Sequence, residues 1–571
     1  MELRSRVDKL LDDGLDKNVA LLGQAERSLE ILFELVEQHY SRGDFRAGEG
    51  LRPALDVYTE KLVQNYKADV PSLSVDELDW PDIFSFSSAY HWLRDLIFLS
   101  YDNPESVDWS EHDATISVKL QDNTFAEQIV YEHQLFALSS TLLRKEKPLP
   151  DEFFKMLGTT ARWDHNNPDM EKIFGHVRSQ ADSKIEAFFS YVPEVCDAAL
   201  GSYTYSEFYK VYYGFLLFAI YERYHASVNQ LSCVVTLGEA ELVEETSRIA
   251  GLPTEKCSVI LRDIASSSRG TFNYLQAECK YLLLPFSFSL KDGISSMLKQ
   301  YAGRDSDRFS GQFAGLIGAA LVDEISDLFA QFRNFRTEKE ILLQSYDPSL
   351  PDIDVLALSY EPSLGFHAFV CEVKNNLPAT WAKEYLKTKG KKGAITKALE
   401  QAEKLKGFLA AAEGVELLQR LIAKNFPDLD IDKLFPTGYC ITIDFLVVTS
   451  QSMGAFFPER STAILNNTML NHVVSRSDGD TNFILWYLWN MQRYIRSTYK
   501  EETESIRVGE YTIEFTVPQV NGYIDIEYNS YLSSGELEKN EAESLATGYR
   551  FIDTLDAPGE PGNQKFLIVV R

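Results

Sequence analysis

Two stretches hold the residues best suited to chemistry: Pro351-Asp352-Ile353-Asp354-Val355-Leu356-Ala357-Leu358 and Phe366-His367-Ala368-Phe369-Val370-Cys371-Glu372-Val373-Lys374. Each reads as an apolar strand with charged residues at one end. A strand alternates sides every residue, so Glu372 and Lys374 share one face while Val373 points to the other. The run Ala368-Phe369-Val370-Cys371 implies cover on both faces, where a charged group is costly unless it pairs or binds a cation. If the intervening Glu361-Pro362-Ser363-Leu364-Gly365 turns the chain into a hairpin, Asp354 lies beside Glu372 and Lys374 on the antiparallel neighbour. Two hard carboxylates beside an open position suit Mg²⁺ or Mn²⁺, ions that keep waters and bridge to phosphate oxygens. Such a site serves phosphodiester hydrolysis: the ion polarises the phosphoryl group and acidifies a water, and Lys374 orients that water or stabilises the developing negative charge.

Short (D/E)xK strings also arise by chance, and Asp182-Ser183-Lys184 and Glu278-Cys279-Lys280 are two others in this chain. Neither follows an acid-bearing apolar strand at hairpin distance, and neither precedes a lysine-rich segment. After Lys374 comes such a segment, with Lys383, Lys387, Lys389, Lys391, Lys392, Lys397, Lys404 and Lys406 set against Glu384, Glu400 and Glu403. Lys387, Lys389, Lys391, Lys392 and Lys397 are the expected contacts to a nucleic-acid backbone. The competing reading is a solvated helical face with pairs such as Glu400 and Lys404. The Lys389-Gly390-Lys391-Lys392-Gly393 loop does not complete a phosphate-loop motif, and no HExxH, HxH or GxSxG string is present, so nucleotide triphosphatase, zinc-hydrolase and serine-hydrolase readings lack support.

Together these strings resemble the PD-(D/E)xK, or restriction-endonuclease-like, nuclease superfamily over about residues 310–450. The resemblance implies an αβββαβ core, Asp354 and Glu372 as metal ligands, and Lys374 as the catalytic lysine. Asp352 is the literal acid after the proline, but Asp354, directly before Val355-Leu356-Ala357-Leu358, is the preferred ligand. The family's helical glutamate would be Glu324, with Glu338 and Glu340 as alternatives, and Gln401 would be the glutamine that assists from the following helix. Mg²⁺ or Mn²⁺ is the implied cofactor, nucleic acid (DNA first) the implied partner, and restriction or anti-phage defence the implied setting. A nuclease-fold protein without activity, binding nucleic acid or scaffolding other proteins, is the alternative.

The elements that must position these residues follow from periodicity. Strands are expected at 340–345, 353–359, 366–374 and 440–449, with helices at 310–332 and 394–412, an order of α, β, β, β, α, β. The chain before about residue 305 reads as helical. Leu29, Leu32, Phe33 and Val36 recur at helical spacing, and 151–226 continues the pattern with many aromatic residues, expected as core. Within it, 237–265 reads as a helix, a Gly-containing turn and a helix, a weak helix-turn-helix whose first helix carries Glu239, Glu241, Glu244 and Glu245. A helix at 481–499 and strands at 511–515, 523–527 and 566–570 complete the reading. The fold class is therefore α+β and multidomain: an α-helical sensor or scaffold region at 1–305, a nuclease-like module at 306–500, and a β-rich extension at 501–571.

Length and composition fit this. At about 100 to 200 residues per domain, 571 residues make roughly two to four domains. Six scattered cysteines without a CxxC pair argue against a disulfide framework, and the charged start lacks an export signal, so a cytoplasmic protein is expected. The most apolar run, 211–220, is too short to span a bilayer and reads as a buried helix, so no membrane partner is expected. A net charge of −29 repels polyphosphate on average. Nucleic-acid binding must then rest on the local lysines, while the acidic helical region offers a surface for a homo-oligomer or a protein partner.

Overall fold

The computed structural model describes residues 3–570 apart from 19–20, 22–23, 65–78, 124, 128–146, 161–166, 189–191, 277, 363–364, 376–392, 436–438, 451–461, 486, 489–498, 521–549 and 553–565. Helices and several sheets make up a mixed α/β protein that divides into two compact units. One comprises Met1–Gln121, Ser140–Phe313 and Thr503–Val517, and the other Asp122–Ser139, Ala314–Glu502 and Pro518–Arg571. No helix among the described residues is long and apolar enough to cross a membrane.

The first unit opens with α1 (Leu3–Asp16), α2 (Ala25–Ser41), α3 (Phe45–Gln64) and α4 (Trp80–Asp102), followed by the hairpin β1 (Val107–His112) and β2 (Thr115–Leu120). Then come α5 (Asp151–Thr159), α6 (Met170–Ala187) and α7 (Tyr205–Asn229). In α7, Thr204 and Glu207 form a capping box, satisfying backbone donors that the first turn leaves open. This helix contains the apolar 211–220 run, and Tyr205, Phe208, Tyr212, Phe215 and Tyr221 on it are buried. Its aromatic residues are core: Phe215 meets Phe272 at 4.4 Å and Phe288 edge-on at 5.2 Å.

The first half, expected to be α-helical, also contains strands. Besides the β1–β2 hairpin, β3 (Val235–Gly238), β4 (Phe272–Leu275) and β5 (Lys280–Leu283) form an antiparallel sheet in the order β3-β5-β4. Four-residue strands are too short to show a period against the helices around them: α8 (Glu239–Ala250), α9 (Thr254–Ser267), α10 (Pro285–Leu290), α11 (Gly293–Arg304) and α12 (Ser306–Phe309). The expected helix-turn-helix pair is α8 and α9, and Gly251 closes α8 at φ 67°.

In the second unit, the helix expected at 310–332 begins with a π-turn, Ser310–Ala314, and continues as α13 (Gly315–Ala330). The sheet strands are β6 (Phe335–Ile341), β7 (Ile353–Glu361), β8 (Gly365–Lys374) and, after α14 (Ala394–Leu409), α15 (Ala412–Asn425) and α16 (Ile431–Leu434), β9 (Tyr439–Thr449). β6, β7 and β8 run antiparallel, and β9 lies parallel to β8, a pairing that requires the helical crossover between them. Along its other edge β9 pairs in parallel first with β14 (Phe566–Val570) and then with β10 (Thr462–Asn466), which leads into α17 (Asn467–Arg476). β13 (Arg550–Ile552) closes that end against β14.

Two expected boundaries move. The first strand lies at Phe335–Ile341 instead of 340–345, because Phe335 packs against Phe329 at 5.3 Å while Leu342 is 70% exposed. The expected single helix 394–412 stops at Leu409 and is followed by α15. A Cβ on Gly414 would lie 2.2 Å from the Phe408 carbonyl oxygen, so only glycine allows this close turn between the two helices. β7 and β8 are buried on both faces. Phe369 stacks on Phe329 of α13, and Leu356, Leu358, Ala368 and Val370 join Leu405, Leu409 and Leu418 of α14 and α15 on the other side.

Residues 501–571 do not gather in one body. β11 (Tyr499–Val508) and β12 (Tyr511–Val520) complete the sheet β1-β2-β12-β11, with Thr512–Phe515 parallel to Thr115–Val118. Trp92 Nε1 donates to the Thr516 carbonyl at 2.7 Å within that unit. β13 and β14 instead pair into the sheet of the second unit. The expected strand at 523–527 lies outside the described residues, as does most of the expected helix at 481–499.

Candidate active site

β7 and β8 position the acids. Val355 pairs with Cys371, so one further step of the same register sets Asp354 opposite Glu372. Residues opposed on antiparallel strands share a face, and Lys374, two residues beyond Glu372, shares it too. The same face carries Leu356, Leu358, Ala368 and Val370 into the core beneath α14 and α15, so the charged residues occupy one end of an otherwise apolar surface. Gly365, at φ 79°, begins β8 after the tight turn from β7 and fixes this register.

Glu372 is 4% exposed and ion-pairs through Oε1 with the Lys374 ammonium, whose side chain retains 22% of its exposure. Its second oxygen, Oε2, is buried with no hydrogen-bond partner among the described residues. A buried carboxylate oxygen without a donor is costly unless it is protonated or takes a ligand. Asp354 is half-buried and accepts a hydrogen bond from the Val373 backbone N–H at Oδ2, 2.7 Å away. Burial pushes Glu372 up to about 7, Lys374 opposes that shift, and Asp354 adds to it. Burial also raises Asp354, against the Val373 N–H and Lys374, with Asp352 and Glu340 adding to the rise.

The other expected residues are placed as follows. Asp352 accepts from the Leu343 backbone N–H at 3.0 Å, so its carboxylate fastens the β6–β7 connection while Asp354 faces Glu372. Glu324 lies on α13, which covers the opposite face of the sheet, and accepts from Asn467 Nδ2 at 2.7 Å. Glu338 is engaged by Lys424 at 2.7 Å and Asn425 at 2.8 Å. Glu340 is exposed, at φ 51°, at the break in β6–β7 pairing directly across from Asp354. Gln401 is half-buried on α14, and Lys397 is exposed on its first turn. There Ile395 and Ala398 pack on Val447, the register partner of Glu372 on β9, so α14 begins above the acidic row. Lys387, Lys389, Lys391 and Lys392 lie outside the described residues.

The other two (D/E)xK strings differ in kind. Asp182 and Lys184 lie two apart on α6, a spacing at which helical side chains do not face each other. Glu278-Cys279-Lys280 crosses a tight turn with Cys279 at φ 49°, and Lys280 donates to Glu26 at 2.8 Å.

One member of a buried pair, Asp444, escaped the sequence reading. His367, on the face away from Glu372, lies 3.4 Å from Asp444 of β9, and burial depresses the imidazole to about 3, so it is neutral. Its signal was an acid inside the apolar run Cys440-Ile441-Thr442-Ile443-Asp444-Phe445. The Asn467 contact to Glu324 had none.

Among the described residues no group of three or more His, Cys, Asp or Glu side chains is arranged to hold a metal ion. Asp354 and Glu372 make two. Mg²⁺ is commonly held by one or two carboxylates and completes its octahedron with waters and substrate phosphates, so the pair fits such an ion and the orphaned Oε2 supplies a point of attachment. The chain matches no protein-family model, no curated protein and no solved structure.

Proposed function

We propose that the protein is a divalent-metal-dependent nuclease that hydrolyses phosphodiester bonds, of DNA in the first instance. The observation that carries this reading is the convergence of Asp354, Glu372 and Lys374 on one face at one end of β7 and β8, with Glu372 Oε2 buried and unsatisfied among the described residues. The order of α13, β6, β7, β8, α14 and β9 supports a restriction-endonuclease-like core. Asp354 and Glu372 would hold Mg²⁺ or Mn²⁺. When bound, the ion polarises the phosphoryl oxygen and lowers the pKa of a coordinated water. The Val373 N–H fixes the Asp354 carboxylate, and the apolar floor of Leu356 and Val370 excludes water from beneath the acids. Lys374 supplies a positive charge and hydrogen-bond donors to the attacking water or the phosphate oxygens. Lys397 at the start of α14, and the lysines before it, would follow the nucleic-acid backbone. A role in restriction or anti-phage defence goes with this activity.

The test is incubation of plasmid, linear duplex, single-stranded DNA and RNA with Mg²⁺ or Mn²⁺, comparing wild type with Asp354→Ala and Lys374→Ala. Cleavage by wild type, reduced about 100-fold or more in both variants, is expected. Equal cleavage by all three refutes the assignment of the site. Absence of cleavage in every arm favours the other class of function, a nuclease-fold scaffold.

A further inference from the structure

We propose that Lys374 is a resting latch on the metal site: its ammonium holds Glu372 through Oε1 while no ion is bound, and a divalent cation entering at Oε2 competes with it for the same carboxylate and releases the lysine. This rests on the reading of Asp354 and Glu372 as metal ligands and adds to it how the site is kept when no ion is bound.

The geometry carries the inference. Glu372 Oε1 is paired with the Lys374 ammonium, and Asp354 Oδ2 is engaged by the Val373 N–H, so the chain supplies its own positive charge and donor to both carboxylates. Burying the Glu372 carboxylate is costly, and the ion pair offsets part of that cost through a single oxygen. Among the described residues Oε2 remains without a partner, because the ammonium is a point charge held at Oε1, whereas a divalent ion can draw on both acids. An ammonium and a dication on the two oxygens of one carboxylate repel each other, so entry of the ion at Oε2 weakens the Lys374 contact at Oε1. Lys374 keeps partial exposure, so it has a route out. A four-carbon stem released there can reach a phosphate oxygen or a water beside the same face. The lysine thereby has two stations, one holding the empty site together and one serving the reaction.

The test measures ion binding, independent of cleavage. Mn²⁺ is titrated into the full-length protein at pH 8.5 under argon and followed by loss of the free-ion electron paramagnetic resonance signal, for wild type, Lys374→Met and Glu372→Gln. The latch predicts about tenfold tighter Mn²⁺ binding in Lys374→Met than in wild type, and loss of that site in Glu372→Gln. Equal or weaker binding in Lys374→Met, with the site still lost in Glu372→Gln, overturns the latch and leaves the metal reading intact. Binding in wild type and Lys374→Met that is indifferent to Glu372, or no binding at all, overturns both. Should Lys374→Met fail to fold, wild-type protein reductively methylated with ¹³C-formaldehyde gives a second reading. The Lys374 dimethylamine resonance, assigned by its loss in Lys374→Arg, is expected to move saturably as Mg²⁺ is added, and a stationary resonance refutes the exchange.

Discussion

Glu37 and Glu372 are both buried, and they are satisfied differently. Glu37 on α2 is fully buried and accepts from the Phe286 N–H at 2.7 Å and the Ser287 N–H at 2.9 Å, so both of its oxygens are used at the start of α10. Glu372 has one oxygen paired and one orphaned. Burial lifts both to about 7. A carboxyl raised in the folded chain contributes stability that is fully present below its unfolded value near 4.3 and is lost as the pH rises through the folded value. Metal-free protein is therefore expected to show a urea midpoint that falls between about pH 5 and 8, and Glu372→Gln to remove part of that slope. An unchanged slope in the variant would refute the contribution of Glu372. Glu37→Gln is expected to destabilise by about 1–3 kcal/mol in the same assay, because the new amide N–H₂ must confront a backbone N–H.

Among the elements, β6 holds the least comfortable residue. Glu340 takes a left-handed backbone conformation in a strand, at the position where the β6–β7 ladder breaks across from Asp354. Glycine adopts that conformation without strain, so Glu340→Gly is expected to raise stability by up to about 1 kcal/mol in urea unfolding. It also removes a negative charge that raises the Asp354 carboxyl. The sequence made β7, β8 and β9 readable to within one or two residues because each is a long apolar run bounded by charges or a turn. It misplaced β6 because Leu342 and Leu343 look like strand residues, while the contact that decides the strand, Phe335 with Phe329 and Phe369, is a tertiary one. The site followed the same rule. Asp354, Glu372 and Lys374 were legible because one hairpin joins them, whereas the partner of Glu324 is Asn467, far along the chain. α15 and the four-residue strands β3, β4 and β5 escaped for lack of a distinct period.

At the scale of the whole molecule, residues near the end of the chain build structure near its beginning. Ile513 and Phe515 on β12 are buried and run beside Ile116 and Val118 on β2, which are also buried. Phe515→Ala is expected to cost about 3–5 kcal/mol and to lower amide hydrogen-exchange protection in residues 115–120. Protection there equal to wild type would show that β2 holds without its distant neighbour. The tail also feeds β14 into the other sheet, beside β9. The order of synthesis thereby becomes a constraint. A ribosome adding about 5–20 residues per second exposes the open edge of β2 for tens of seconds before β12 exists, and β9 waits in the same way for β14. Unpaired strand edges are the places where nascent chains associate wrongly. The edges of β2 and β9 are thus covered only by strands synthesised much later, which makes biogenesis a step at which this protein is exposed to misassembly.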